Sequence, residues 1–392
     1  MLFCVSCFTV NRNCPKKSIK KLYVFTKQFC IHPRFVIFEV MNKKILIIGA
    51  GLSGLYLGYR LKKEGFLVRI LEANARIGGR IFTKNVQDTH VELGATWLWK
   101  YNEELLKLCR ELNISLFEQD MRGDALFEAT SVLAVQRFQL PQNQEISYRI
   151  AGGTRVLLDQ LAKGLSKEEL LLNQKVQQIN TTESGVEVLT ENTAFTADLV
   201  VSTVPPKVLV HSVAFSPALD SNLIHVAKHT HTWMKDAIKF ALVYKSAFWK
   251  EKGLSGVGFS NVGPFTEIYD HSDLEHKHFA LMGFLHGALA TETKAYREEK
   301  VREQLFKFFG EDGVNYLSYE EKNWSEEPLV TTADSGFISP HENNGHPIYQ
   351  KTYVKDRFFI AGSETSPSYG GYMEGAIYRG NQMVAQIKRG LV

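Results

Sequence analysis

The run from Lys44 to Arg80 constrains this chain most, because apolar stretches and glycines follow one another there in a fixed order. A short β-branched stretch, Ile45–Ile48, leads into three glycines in the pattern GxGxxG. A second apolar strand, predicted over 66–71, ends at Glu72. Strand, glycine turn, helix, strand and acid in this order are typical of a doubly wound dinucleotide-binding domain. The sequence therefore predicts that this region holds the pyrophosphate of a dinucleotide.

The three glycines have separate predicted roles. Gly49 permits the tight turn, Gly51 lets the backbone approach the phosphates, and Gly54 lets the helix pack close to the strand. A glycine pattern alone is weak evidence, since a glycine-rich turn occurs in many doubly wound proteins. The second strand and the acid at its end follow the glycines at the expected spacing, and this makes the dinucleotide-binding interpretation the stronger one.

The helix start and the acid complete the predicted site. Leu52 and Ser53 begin the helix, whose free amides and positive dipole end favour an anion. Glu72 follows Gly54 by 18 residues, where its carboxylate is placed to accept hydrogen bonds from ribose hydroxyls.

Charge and hydropathy exclude two classes of partner. The chain has 392 residues, 44% hydrophobic and 22% charged, which suits a globular protein with room for two domains. Its net charge of +4 is misleading, because residues 1–40 hold seven Lys and Arg against one Glu, leaving −2 for the remainder. A nucleic-acid surface is therefore not expected. No apolar run reaches the ~18 to 20 residues that span a bilayer, so no membrane anchor is predicted.

Residues 1–40 form a basic leader in which apolar residues show no clear helical or strand periodicity. The run Met41-Asn42-Lys43-Lys44 leads directly into the first strand, so we expect Met41 to be the true start. An acid-poor targeting peptide is the alternative. Four of the five cysteines lie in this leader, leaving Cys109. A disulfide framework is not expected, which suits a reducing compartment and predicts a cytoplasmic protein.

The continuation after the second strand, EANARIGGR at residues 72–80, resembles the second glycine motif of the flavin amine oxidase superfamily. In that family the final arginine and the nearby amides contact the phosphates of FAD. The resemblance implies that Arg76, Gly79 and Arg80 bind the cofactor, whereas two solvated surface cations are the alternative for the arginines. The chain departs from the pattern at Asn74, where many members carry Arg.

Two further segments extend this resemblance. HVELGATW, residues 90–97, resembles the strand and turn beside the flavin. FFIAGSET and GGYMEGA, residues 358–365 and 370–376, resemble the family's C-terminal strand, turn and helix. The position of Val176 corresponds to one near the adenine. The remaining cofactor contacts that these segments imply are Gly94, Ala95, Thr96, Trp97, Gly362, Ser363, Glu364, Tyr372 and Met373.

The resemblance also implies the fold. We expect an α/β protein with a Rossmann-like, FAD-binding domain made of residues 41–100, 150–212 and 320–392. Residues 101–149 and 213–319 are expected to form a discontinuous substrate domain with a mixed sheet and helices.

Two catalytic residues follow from the same family. MKDAIKF, residues 234–240, closely resembles a monoamine oxidase segment whose lysine, here Lys239, reaches flavin N5 through a water. Without the resemblance, a lone Lys in a strand more often faces solvent. Tyr372 matches one wall of the aromatic pair that encloses the amine.

The position of the second aromatic wall departs from the family. Nine residues after Trp324 the chain has Ala333, where monoamine oxidases carry the cysteine that bonds FAD. We therefore predict FAD bound without a covalent link. The next position is Asp334 rather than an aromatic residue, and a shifted register would place Phe337 there instead.

The implied reaction is the oxidation of a small primary or secondary amine. Members move a hydride equivalent from the carbon beside nitrogen to flavin N5, giving an imine, and O2 reoxidises the flavin to give H2O2. The amine must react in its neutral form, and deprotonating an alkylamine of pKa ~10.4 costs about 4 kcal/mol at neutral pH. An apolar, aromatic pocket lowers this cost.

Two other functions stay open at this stage. One is a flavin desaturase or oxidase of the same fold acting on a carotenoid-like or porphyrin-like substrate. The other is a non-catalytic FAD-binding protein. A metal site is not predicted, because His225, His229 and His231 have no acid or cysteine at ligand spacing.

Overall fold

The computed structural model describes residues 43–141, 143–332 and 336–390. The predicted leader, Met41 and Asp334 lie outside the described residues. The strands are, in chain order, β1 (Lys44–Ile48), β2 (Leu67–Leu71), β3 (Thr83–Val86), β4 (Thr89–Glu92), β5 (Leu98–Trp99), β6 (Leu116–Glu118), β7 (Asp124–Glu128), β8 (Gln136–Gln139), β9 (Ser147–Ile150), β10 (Leu170–Leu171), β11 (Val176–Thr181), β12 (Val186–Thr190), β13 (Ala194–Ala197), β14 (Leu199–Ser202), β15 (Ala214–Ser216), β16 (Ile238–Tyr244), β17 (Leu254–Ser260), β18 (Phe265–Asp270), β19 (Phe279–Leu285), β20 (Ser318–Asn323) and β21 (Phe358–Ile360).

The helices of the same residues pack against these sheets. They are α1 (Leu52–Lys63), α2 (Glu103–Glu111), α3 (Arg155–Ala162), α4 (Pro206–Ser212), α5 (Ser221–Lys228), α6 (Phe248–Glu251), α7 (Lys294–Phe309), α8 (Glu311–Val314) and α9 (Met373–Gly390). Within this described part, no helix is both long enough and apolar enough to cross a membrane.

A five-stranded parallel sheet, in the order β10-β2-β1-β14-β21, forms the dinucleotide-binding half. Ile48 pairs with Leu71 on one side and with Ser202 on the other, so the carboxyl ends of these strands lie at one edge. The central strands are buried on both faces, as is typical of parallel sheets covered by helices. The predicted Rossmann-like fold is confirmed.

Residues 194–202 form two separate strands, β13 and β14, and all four residues of β14 are buried. Parallel pairing with β1 and β21 on both sides places β14 inside the sheet, where both faces are covered.

A seven-stranded mixed sheet, in the order β20-β16-β19-β18-β17-β7-β8, forms the other half. β17 and β7 run parallel, whereas the other neighbours are antiparallel. Helix α7 covers one face through Val301, Leu305 and Phe308, which belong to the core cluster of this sheet. The other face turns toward the parallel sheet and lines the site described below.

The two ends of the described chain meet where α1 packs on α9. Gly380 allows this approach, because a Cβ there would lie 2.6 Å from the ring of Tyr56. The Tyr56 hydroxyl donates to Asn381 Oδ1 at 2.5 Å. The glycine turn after β1 is therefore held beside the start of the C-terminal helix.

Glu374, in the first turn of α9, joins that helix to α2. Its carboxylate accepts hydrogen bonds from the backbone N–H groups of Glu104 at 3.0 Å and Leu105 at 2.9 Å. The side chain is 3% exposed, and burial raises the pKa of Glu374. The carboxylate supplies the negative charge that the start of α2 favours.

Glu374→Ala is expected to lower the free energy of unfolding by about 2 kcal/mol, because two buried N–H groups lose a charged acceptor. Urea unfolding of the purified protein measures the change. Glu299→Ala, at an exposed position of α7, is the control and is expected to change stability by less than ~0.5 kcal/mol. Equal stability of the two variants would contradict the joining role of Glu374.

Candidate active site

One cavity of about 1010 Å³ extends from the glycine turn after β1 to the inner face of the seven-stranded sheet. This size is suited to a cofactor together with a small substrate. Most of the predicted cofactor residues line it: Gly49, Gly51, Leu52, Ser53, Glu72, Arg76, Gly79, Arg80, Gly94, Ala95, Thr96, Trp97, Val176, Ser363, Tyr372 and Met373. Lys239 lines the same cavity.

Three predicted cofactor residues lie behind the wall rather than on it. A Cβ on Gly54 would lie 1.9 Å from the carbonyl oxygen of Gly49, so this glycine sets the distance between α1 and the turn. A Cβ on Gly362 would lie 3.1 Å from the carbonyl oxygen of Thr203. Glu364 is fully buried and pairs with Arg80 at 2.6 Å. These residues support the lining residues and do not themselves face the cavity.

The two glycine turns form an open cradle. Gly49 has φ +101°, and Gly78 has φ +115°. The turns are joined by a hydrogen bond from Gly78 N to the Ala50 carbonyl at 2.8 Å. A Cβ on Gly51 would point into the gap, with only Gly79 Cα at 3.9 Å and Gly78 O at 4.0 Å within reach.

This open gap lies at the amino end of α1, whose first turn contains no acidic residue. The free amides and the positive helix end favour an anion there, so the cradle fits a diphosphate. The residues present therefore fit a dinucleotide such as FAD.

Glu72 lies at the carboxyl end of β2 and is 7% exposed. Its Oε2 accepts from the backbone N–H of Ala50 at 2.7 Å, and its Oε1 accepts from that of Asn74 at 2.8 Å. Burial raises the pKa of Glu72. Each carboxylate oxygen has a second lone pair, which leaves the side chain able to accept from ribose hydroxyls.

The two arginines of the second glycine motif are held by the protein and are not free surface cations. Arg76 donates to the carbonyls of Ile77, Gly79 and Ile81 and lies 4.7 Å from the Phe82 ring centroid. Burial lowers the pKa of Arg76.

Arg80 is fixed from the opposite side of the cavity. It donates to the Trp233 carbonyl at 3.1 Å and to Ser363 Oγ at 3.0 Å, in addition to its pairing with Glu364. Its guanidinium thus connects the N-terminal motif, the segment before β16 and the C-terminal turn at one point on the cavity wall.

Lys239 is buried in β16, with 2% of its surface exposed. Its Nζ donates to the Gly94 carbonyl at 2.7 Å and to Thr96 Oγ1 at 2.5 Å. The Trp97 and Phe284 ring centroids lie 5.1 Å and 5.3 Å away. Burial lowers the pKa of Lys239 to about 7, so much of this amine is neutral at physiological pH.

Tyr372 stands at the start of α9 with aromatic neighbours that the sequence pattern did not indicate. Its ring centroid lies 5.2 Å from that of Trp233 and 5.4 Å from that of His341. Burial raises the pKa of Tyr372. The alternative that places Phe337 in the second aromatic wall is wrong, because that side chain is 93% exposed and lies outside the cavity lining.

Several lining residues were also missed. They are Glu267, Tyr269 and Phe284 on the mixed sheet and Gln119, which directly follows β6. Successive residues of a strand face opposite sides of its sheet. Which of them share a face with Lys239 depends on long-range strand pairing, which no local pattern specifies. Within the described residues, no three His, Cys, Asp or Glu side chains come together as a metal-ligand set.

Comparison with known proteins agrees with this geometry. The family model for flavin containing amine oxidoreductase matches residues 121–388, and the model for an NAD(P)-binding Rossmann-like domain matches residues 47–112. The chain is 22% identical to a probable flavin-containing monoamine oxidase A of Dictyostelium discoideum, over 88% of this chain and 97% of that protein. It is 23% identical to the flavin-containing amine oxidase B of Sus scrofa, over 88% and 85%.

Solved structures give the same fold. A wild-type putrescine oxidase bound to putrescine superposes with a TM-score of 0.76 at 20% identity, covering 89% of this chain and 99% of that one. The predicted resemblance is confirmed, and FAD is the cofactor. With a family model spanning more than half of its length, the chain belongs to the flavin-containing amine oxidoreductases.

Proposed function

We propose that this chain oxidises a small primary or secondary amine, with O2 as the acceptor and an imine, its aldehyde and H2O2 as products. Bound FAD supplies the acceptor for a hydride equivalent from the carbon beside nitrogen. The observation that carries the proposal is the single cavity, which joins the glycine cradle to the buried amine of Lys239 and to the ring of Tyr372.

The residues that line the cradle end are proposed to hold FAD. The amides after Gly51 and the guanidinium of Arg80 face its diphosphate, and Glu72 accepts from its ribose. Val176, which also lines the cavity, is proposed to lie near the adenine. Residues 94–97, Ser363 and Met373 are proposed to surround the flavin ring.

Lys239 is proposed to hold or accept a proton next to the reacting atoms. When neutral, Nζ uses two N–H groups on Gly94 and Thr96, which leaves its lone pair as an acceptor toward the cavity. A group whose pKa lies near the working pH is suited to both tasks.

The aromatic lining is proposed to favour the neutral form of the substrate. Trp97, Phe284 and Tyr372 offer ring faces and edges rather than water to an entering amine. Removing water raises the free energy of the ammonium form relative to the neutral amine, which offsets part of the deprotonation cost. Tyr372, backed by Trp233, is proposed to orient the amine.

FAD is proposed to bind without a covalent bond. Among the described residues Cys109 is the one cysteine, and it is buried in α2 outside the cavity lining. Burial raises the pKa of the Cys109 thiol to about 11, which leaves it inert. The division into an FAD-binding part, residues 41–100, 150–212 and 320–392, and a substrate part, residues 101–149 and 213–319, is retained as a proposal. The cytoplasm is likewise retained as the proposed compartment.

Oxygen uptake and peroxide release over a panel of amines test the proposal. We expect one H2O2 per O2 consumed and one aldehyde per turnover with at least one small amine. Flavin reduction by a polyene or tetrapyrrole in place of amines would indicate a desaturase. A tightly bound flavin that no substrate reduces would indicate a binding protein.

A further inference from the structure

A second, much smaller pocket borders the large cavity near Lys239. Its volume is about 40 Å³. A buried water needs roughly 10–15 Å³ of such space, so the pocket has room for about three. Thr96 lines both the small pocket and the large cavity, and its Oγ1 accepts the hydrogen bond from Lys239 Nζ at 2.5 Å. Thr96 therefore connects the lysine amine to the wall of the small pocket.

Three side chains that line the small pocket carry a buried polar atom without a hydrogen-bond partner among the described residues. These atoms are Glu92 Oε2, Arg149 Nε and Ser272 Oγ. None of the three side chains is more than 5% exposed. A buried polar group left unpaired costs about 1–3 kcal/mol, so nearly all such groups in proteins have a partner. Their grouping around one pocket indicates that the pocket binds water, which bridges several polar atoms at once.

Glu92, at the end of β4, has one oxygen fixed by the protein and one that is not. Its Oε1 accepts from the backbone N–H of Thr154 at 2.5 Å and from Thr83 Oγ1 at 2.8 Å. Its Oε2 is the atom without a partner among the described residues. Burial raises the pKa of Glu92, against the charge of Lys239. This carboxylate is therefore able to take up a proton at Oε2 without losing the bonds that hold it.

Arg149 on β9 and His271 after β18 face Glu92 from two other elements. Both ring nitrogens of His271 face donors, namely the Glu92 backbone N–H at 3.2 Å and Arg149 Nη1 at 2.9 Å. Burial and the charge of Arg149 hold the pKa of His271 well below its ordinary value, so the ring stays neutral. Burial lowers the pKa of Arg149 to about 10, which leaves the guanidinium charged at neutral pH.

Two more titratable side chains line the small pocket. Asp273 accepts from His278 Nδ1 at 2.7 Å, and this bond helps hold the pKa of Asp273 below its ordinary range despite partial burial. His90 lies on an exposed position of β4. Of the buried groups at this pocket, Glu92 is thus the one suited to exchange a proton with Lys239, whose pKa burial lowers to about 7.

The proposed reaction needs a place to keep one proton. A substrate ammonium loses a proton before it reacts as the neutral amine, which then gives up a hydride and becomes an iminium ion. Reduction of O2 to H2O2 takes that hydride and one further proton. The sum, RCH2NH3⁺ + O2 + H2O giving RCHO + NH4⁺ + H2O2, neither releases nor consumes protons. The proton lost in the first half is therefore matched by the one required in the second.

We propose that Glu92 stores this proton between the two halves of the reaction. The proton passes from the substrate ammonium to Lys239 Nζ, and then through the Thr96 hydroxyl and water in the small pocket to Glu92 Oε2. A hydroxyl is suited to this transfer because it both accepts and donates. The inference rests on the proposed function.

The transfer moves a proton and no electrons. One N–H bond of the ammonium breaks, one O–H bond forms at Glu92, and the same path returns the proton when O2 is reduced. Glu92 lies outside the lining of the large cavity and acts through Lys239, so it is a positioning residue.

Proton release on binding of an amine that cannot react provides the first test. 2-Amino-2-methylbutane has no hydrogen on the carbon beside nitrogen, so it cannot be oxidised. Calorimetry of the FAD-loaded protein in buffers of different ionisation enthalpy counts the protons released. Near pH 8 the free amine is an ammonium, with a pKa of ~10.4, whereas Lys239 is largely neutral.

The wild type is expected to release almost no protons, because the proton of the amine moves to Glu92. Glu92→Gln keeps the shape of the side chain but cannot store the proton, and it is expected to release about one proton per amine bound. Glu299→Gln, at the exposed position on α7, is the control and is expected to behave as the wild type.

Infrared difference spectra of the same binding reaction show where the proton goes. The carbonyl band of a protonated carboxyl group is expected to appear when the amine binds to the wild type and to be absent in Glu92→Gln. Thr96→Val removes the connecting hydroxyl and is expected to slow the appearance of this band by about 100-fold. Thr96→Ser keeps the hydroxyl and is expected to slow it much less. The wild type and the Thr96 pair decide the question even if Glu92→Gln does not fold.

Equal proton release by the wild type and Glu92→Gln, or a wild type without the carboxyl band, overturns storage at Glu92 even if amines are oxidised. A band that depends on Glu92, without oxidation of any amine, supports the store and contradicts the oxidase. Failure of the blocked amine to bind contradicts the amine site itself, and the store with it.

Discussion

Gly54→Ala is expected to weaken FAD binding by about 100-fold or more and to lower the free energy of unfolding by about 3 kcal/mol. The new Cβ would lie 1.9 Å from the Gly49 carbonyl oxygen and 3.0 Å from Thr203 Oγ1. The nearer atom belongs to the backbone of the turn, so no side chain can rotate away to make room. Helix α1 and the turn must separate by more than 1 Å, which moves the amides away from the diphosphate.

FAD content after purification and an FAD titration of stripped protein measure this effect, and urea unfolding measures the stability. Gly164→Ala is the matched control, because a Cβ at that position has no heavy atom within 4 Å. A Gly54→Ala protein that retains stoichiometric FAD at wild-type affinity would show that the α1 turn does not hold the cofactor.

Lys239→Met is expected to lower amine turnover by about 100-fold while FAD content stays unchanged. The lysine lies next to the proposed reacting atoms, and its lowered pKa makes it an acceptor at neutral pH. Methionine fills a similar volume between Trp97 and Phe284 but cannot hold a proton. Rapid-mixing measurement of flavin reduction and reoxidation identifies the half-reaction that is slowed. Lys245→Met, on the exposed position that follows β16, is the control.

The same substitution is also expected to change how the free energy of unfolding depends on pH, which is measured without an activity assay. Burial lowers the pKa of Lys239 from 10.5 to about 7, despite the opposing charges of Glu92 and Glu267. Between these values the unfolded chain binds more protons than the folded one, so this lysine makes stability rise with pH, by at most roughly 1.4 kcal/mol per pH unit. Below pH 7 both states are protonated and the slope vanishes.

Lys239→Met is therefore expected to be more stable than the wild type near pH 7, with an advantage that shrinks as the pH rises toward 10. Urea unfolding at several pH values measures this. Parallel stability curves for the two proteins would contradict a buried lysine with a lowered pKa.

The dinucleotide half of the fold was predictable because its signals are local. Gly49, Gly51 and Gly54 define a turn by their own backbone requirements, and Glu72 follows the next strand at a fixed distance. The packing role of Gly54 was predicted from the motif, whereas the supporting role of Glu364, buried and paired with Arg80, was not. A motif names residues that recur near a ligand, whereas only packing distinguishes a residue that faces the ligand from one that holds its neighbour.

The substrate half was less predictable because it is built by long-range pairing. Glu267 joins Lys239 on one wall only because β19 lies between their strands, and no spacing along the chain specifies that register. The interpretation of Phe337 as a second aromatic wall was wrong for a related reason. It shifted the register that counting from Trp324 gives, in a segment where this chain differs from the family, while Trp233 supplies an aromatic neighbour of Tyr372 from another part of the chain.

The central claim is that one cavity brings an amine to FAD beside Lys239. Anaerobic addition of 1,4-diaminobutane to the purified, FAD-loaded protein tests it most directly. The account predicts that the visible absorbance of the oxidised flavin disappears and that it returns on admission of air, together with one equivalent of H2O2. A protein that takes up no FAD, or whose colour is unchanged by this and every other amine supplied, would contradict it.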